Sequence, residues 1–300
     1  MARDLRALPK AHVHLHLEGA MRPDTLTDLC ARHGLERPVD TRGQRFQSFG
    51  PFAATYVAAC LCLREEADLK RLITEVAEDA ANDGATWIEV APSIELYAHH
   101  FGGTAATLQL LLRLSKQVEE ENGVGIGLII SAARHESAGE AEALARVVRT
   151  EAEALRATRP HALVGFGLHA DEEGNPPEPF ARAFEIACGG DSPVRAMPHA
   201  GEIYPDRGDT SSGPRSVAFC LDVLGAARLG HGTHCFHLRS EQPNRRGSSA
   251  LMVHVTPCAK SLGRGCVCER VRGAERWDCL NLPERGLLPR RAGRGALGAR

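Results

Sequence analysis

The chain of 300 residues predicts an α/β fold built on a parallel sheet. Two observations carry this. Short β-branched runs alternate with longer segments that have helical periodicity, and the connections between them are short, as in successive βαβ units. Six strand-then-helix alternations follow one another before the rhythm stops near residue 236, and the pattern alone does not separate a closed barrel from an open doubly wound sheet. Composition fits one large domain: 43% hydrophobic and 25% charged residues are ordinary for a globular chain, and one α/β barrel uses roughly 250 residues.

The first unit opens at residues 8–17. Ala11, Val13, Leu15 and Leu17 alternate there with His12, His14 and His16, the period of two of a strand. Residues 23–34 follow with Leu26, Leu29 and Cys30 at helical spacing, Pro23 and Asp24 suited to a first turn and Gly34 to the stop. Residues 53–83 read as one helix ended by Gly84, and 86–90 as a short strand. A leucine-rich helix at 104–122, closed by Gly123, precedes an apolar strand at 124–130. The alternation continues with a helix at 138–158, a strand at 162–168, a helix at 178–188 and a strand at 194–198. A helix at 215–224 then leads to a sixth strand at 227–230.

The net charge of −2 hides a division. Residues 1–236 carry 23 Lys and Arg against 33 Asp and Glu, a net of −10, whereas residues 237–300 carry 13 against 5, a net of +8. The chain is therefore expected to comprise an α/β domain over 1–236 and a basic, Arg/Gly-rich tail over 237–300. That tail lacks sustained periodicity, and its composition predicts poor order, while the abrupt change after Phe236 is expected to mark a reading-frame change, a chimeric end or a divergent domain. With one aromatic residue, Trp277, and no recognisable motif, it gives no case for nucleic-acid binding. Residues 1–8 lack the apolar core of a secretory signal, and no run approaches the roughly 18 apolar residues of a membrane span. A cytoplasmic location follows as the expectation, with the ten cysteines reduced and neither nucleic acid nor membrane as partner.

Three segments carry chemistry. His14-Leu15-His16 on a strand puts two imidazoles on one face about 7 Å apart, a spacing that suits chelation of one metal but also the polar face of an edge strand. Pro198-His199-Ala200-Gly201-Glu202 follows a predicted strand. A third imidazole there would complete a three-histidine shell with an open position for water, the arrangement of catalytic zinc, and Glu202 would stand three residues away as a proton donor. In Arg228-Leu229-Gly230-His231-Gly232 the flanking glycines let the backbone pass close to a ligand and aim the His231 imidazole.

In their order and approximate spacing, His14 to Ala20, Pro198 to Glu202 and Arg228 to Gly232 resemble the first, fifth and sixth strands of the adenosine deaminase family. Lesser similarities at Pro9-Lys10, Trp87 to Val90 and Gly165 to Glu172 extend the resemblance over roughly four-fifths of the chain. It implies a (β/α)8 TIM-type barrel, incomplete here, that removes the amine of a 6-aminopurine nucleoside such as adenosine or aminodeoxyfutalosine by zinc-dependent hydrolysis. By the resemblance His14, His16 and His199 would hold Zn2+, Glu202 would protonate the purine ring nitrogen, and His231 would orient the attacking water. Glu18 and the backbone N–H of Ala170 would bind the substrate. Two departures stand out. Ala170 replaces a glycine usual in the family, and no Asp-Asp occurs after residue 236 to supply the family's eighth-strand aspartates. Asp278 is the only aspartate of the tail. The expectation is therefore an impaired deaminase. Another zinc-dependent amidohydrolase and an inactive, truncated deaminase-like protein are the alternatives.

Overall fold

The computed structural model describes residues 8, 10–41, 46, 48–202 and 212–233, together with the backbone of three short strands between 252 and 281. Strand β1 (Lys10–His16) is followed by α1 (Pro23–His33), α2 (Phe49–Cys60) and α3 (Glu66–Asn82), then β2 (Ala85–Ala91). The chain continues through α4 (Thr104–Asn122), β3 (Gly125–Ala133), α5 (Ala138–Leu155), β4 (Leu163–His169) and α6 (Ala181–Cys188). Two short strands, β5 (Arg195–Ala196) and β6 (His199–Ala200), precede α7 (Ser212–Asp222) and β7 (Arg228–His231). β8 (Met252–His254), β9 (Cys266–Arg270) and β10 (Trp277–Asn281) fall in the basic tail.

Strands β1 to β5 form one parallel sheet in sequence order. β6 pairs parallel with β7 and β7 with β8, while β9 and β10 add antiparallel. The two sheets meet along residues 195–200. Met197 N–H donates to Phe166 O on β4, and on the other side Ala227 N–H donates to Ala196 O and Gly230 N–H to Pro198 O. The helices cover the sheet through apolar stripes. On α3, Leu69, Leu72, Ile73, Val76, Ala77 and Ala80 are buried at helical spacing. On α4, Leu108, Leu111, Leu112 and Val118 do the same, and left-handed Gly123 ends the helix as the sequence predicts.

Contacts between distant strands show that the sheet curls. β1 and β6 stand four strand steps apart, about 19 Å in a flat sheet, yet His14 Nε2 lies 2.8 Å from His199 Nε2. Arg228 on β7 also pairs with Glu89 on β2. Curvature therefore carries the C-terminal strand ends towards one mouth.

Two sequence expectations need correction. The single helix over 53–83 is two helices, separated at residues 61–65. Asp68 starts the second by accepting N–H groups from Arg64 and Glu65, at 3.1 and 2.9 Å. The single strand over 194–198 is divided between β5 and β6, because Pro198 has no N–H to offer a ladder. Among the described residues no helix is long and apolar enough to cross a membrane.

Candidate active site

Alternation along β1 puts His14 and His16 on the same face, and β6 brings His199 against both. The Nε2 atoms of His14 and His16 lie 2.8 and 3.1 Å from His199 Nε2. This close approach requires a glycine at 230. A Cβ there would sit 2.7 Å from His14 Cε1 and 3.0 Å from His199 Cγ. The glycine expected to free His231 thus makes room for the histidine cluster.

Three imidazoles converging on one point fit a metal better than they fit one another. A tetrahedral zinc ion with bonds of about 2.0–2.1 Å sets its nitrogen ligands roughly 3.3 Å apart, close to the spacing here. Burial, followed by the fields of His169 and His231, lowers the pKa of His16 to about 3. Burial and the neighbouring His14 and His16 hold His199 well below its ordinary value. Both are therefore neutral at physiological pH, the form that binds metal. Among the described residues the possible metal-holding group contains these three histidines and no carboxylate. Asp278 lies on β10, where its side chain falls outside the described residues.

Glu202 and His231 stand beside the cluster. His231 Nε2 is 3.4 Å from Glu202 Oε1, and the His231 ring is 5.1 Å from that of His199. Burial raises the Glu202 pKa against the opposing pull of His231, with Glu172 adding to the rise. Such a carboxyl keeps its proton nearer neutrality, as a proton donor must. Two residues that sequence reasoning did not assign hold the loop bearing Glu202. Glu172 accepts the N–H groups of Gly201 and Glu202, each at 2.8 Å. The buried Arg134 donates to His199 O at 2.8 Å and stands 3.9 Å from Glu172. Glu172 lies in a family-like motif, but Arg134 follows β3 with no sequence signal of its own.

Glu18 is 1% exposed. Its Oε1 accepts from Ser93 N–H at 3.0 Å and Tyr97 O–H at 2.7 Å, and its Oε2 accepts from Tyr56 O–H at 2.6 Å. Burial raises its pKa while these hydrogen bonds oppose the rise. Tyr56 also packs edge-on to His16, with ring centroids 6.1 Å apart, and so links Glu18 to the histidines. Ala170, directly after β4, has φ 72°, and His231 has φ 67°; these are the only positive-φ residues other than glycine among the described residues. The left-handed backbone at 170 gives a conformational reason for the glycine usual there.

The sequence model of the adenosine deaminase family matches residues 9–241. A putative adenosine/adenine deaminase of Streptomyces virginiae is 37% identical over 239 residues, covering 77% of this chain and 66% of that protein. An adenine deaminase structure from Arthrobacter aurescens superposes with a TM-score of 0.60 at 26% identity, covering 76% of this chain and 65% of the other. An amidohydrolase from Burkholderia ambifaria, solved with bound zinc, gives 0.62 at 26% identity, with 79% and 62% covered. The chain thus spans about two thirds of the length of the relatives it matches.

Proposed function

Because this chain belongs to the adenosine deaminase family, we propose that it hydrolyses the exocyclic amine from a 6-aminopurine, carried as the free base or as a nucleoside such as adenosine. The observation that carries the proposal is the convergence of His14, His16 and His199 beside the Glu202–His231 pair. In this reading the curled sheet belongs to a (β/α)8 barrel, whose strands deliver catalytic side chains at their C-terminal ends.

His14, His16 and His199 would hold Zn2+, which when bound lowers the pKa of water to about 7 and so supplies a nucleophile at neutral pH. Glu202 holds a proton on its carboxyl and gives it to the ring nitrogen beside the attacked carbon, so that charge does not build up on the ring. His231, 3.4 Å from Glu202, orients the attacking water. The backbone N–H of Ala170, turned by the left-handed conformation, meets a ring nitrogen, and Glu18 supports the substrate wall through Tyr56.

Ammonia release from adenine and adenosine by the zinc-loaded chain tests this reading, with a chelator as control. Glu202→Gln keeps the shape but has no acidic proton, and turnover is expected to fall by roughly 10²–10⁴ with zinc content unchanged. Undetectable ammonia from either purine in the zinc-bound chain, or equal turnover in the Gln variant, overturns it.

A further inference from the structure

Beyond the Glu202–His231 pair, the mouth contains a second acid–histidine pair. Glu95 lies on the short 3-10 turn Ile94–Leu96 after β2, and His169 is the last residue of β4. His169 Nε2 is 3.2 Å from Glu95 Oε1, with side chains 8% and 15% exposed. The backbone behind them is fixed, because Arg134 N–H donates to His169 O at 2.9 Å. His169 closes β4 as His16 closes β1, so both stand at the C-terminal ends of the parallel strands.

What the pair leaves over is one carboxyl oxygen. Among the described residues, Glu95 Oε2 is fully buried with no hydrogen-bond partner. A buried polar atom left unpaired costs about 1–3 kcal/mol, and a bound group that supplies the missing donor would remove that cost. Burial alone would depress His169, yet the adjacent Glu95 carboxylate, with Glu18 and Glu136 behind it, raises its pKa. The ion pair engages Glu95 Oε1, leaving Oε2 an acceptor without a donor among the described residues. A substrate anion would face the carboxyl groups of Glu95, Glu136 and Glu18 together, so among the groups a purine carries the one that fits is a neutral N–H or O–H donor.

We infer that Glu95 is a specificity-determining residue that accepts a hydrogen bond from an uncharged N–H or O–H donor of the substrate, and that His169 positions it. On a purine that donor is the azole N–H of a free base or a ribose hydroxyl of a nucleoside. The inference rests on the reading of the site as a purine deaminase, and it names what distinguishes one purine from another.

The test is binding to the zinc-loaded full chain by equilibrium dialysis, using purines without a 6-amino group so that nothing can be deaminated. Purine is compared with 9-methylpurine, and purine riboside with its 2′,3′-dideoxy form. At least one pair should separate by tenfold or more in the wild type. A separation in the first pair identifies the azole N–H and in the second a ribose hydroxyl. Glu95→Gln and Glu95→Ala should reduce that ratio to threefold or less, and His169→Asn should reduce it at least threefold. If Glu95→Ala does not fold, the isosteric Gln variant decides. Absence of binding, absence of separation in both pairs, or a ratio unchanged in folded Glu95 variants overturns the inference. Ammonia assays on the same preparations keep the two proposals apart. Discrimination without ammonia release overturns the deaminase reading alone, and ammonia release without discrimination overturns the role of Glu95 alone.

Discussion

Ala170 and His231 hold left-handed backbone that residues other than glycine rarely adopt, and both lie at the C-terminal ends of strands, β4 and β7. At 170 the strain can be removed. An L-residue in this conformation costs about 1–2 kcal/mol, whereas replacing alanine by glycine loosens the unfolded chain at a cost of about 0.4–1 kcal/mol. The first effect is larger, so Ala170→Gly should stabilise the protein by about 0.5 kcal/mol. Urea unfolding checks this through the midpoint at constant m-value; a lower midpoint would mean that the left-handed turn carries no strain. The same reasoning does not extend to His231, whose imidazole forms part of the site.

The break between α2 and α3 shows how a distant part of the chain shapes an element. Residues 61–65 contain neither glycine nor proline, so their sequence reads as continuing helix. The break is organised around Asp68, whose fully buried carboxylate accepts two backbone N–H groups. It also meets Arg32 Nη1 at 2.8 Å and His33 Nε2 at 2.9 Å, both from the end of α1. Asp68→Ala would remove all four interactions at once. Arg32 is half-exposed and can return to water, so the loss comes mainly from the backbone donors and His33, about 2–3 kcal/mol in total. Urea denaturation measures it, and a loss below about 0.5 kcal/mol, the range of an ordinary surface substitution, would show that the break is held by packing instead. The Glu172 clamp on Gly201 and Glu202 works in the same way, fixing a loop that local sequence leaves open.

Across the whole molecule, curvature joins three histidines that are 185 and 183 residues apart along the chain. A ligand that binds only the folded state stabilises it, by about 2.7 kcal/mol at a hundred times its Kd. Zinc is therefore expected to raise the thermal midpoint of the wild type, and His199→Ala to abolish the rise while leaving the metal-free fold intact. An equal rise in both proteins would place zinc elsewhere, for instance on the free cysteines. The Arg228–Glu89 pair closes the same curve lower in the sheet, and its partners come from two segments already recognisable in the sequence as family-like.

The sequence by itself determined the strand and helix alternation, the helix-ending glycines and the identity of the three histidines, because all are encoded in local periodicity and short motifs. It also carried Glu202 and His231, which are marked by their neighbours in the chain. The cradle of Tyr56, Ser93 and Tyr97 around Glu18, the Arg134–Glu172 clamp and the Glu95–His169 pair were decided only by the tertiary structure. Each unites residues from different strand ends, and sheet curvature, which no single segment encodes, is what brings them within hydrogen-bonding reach.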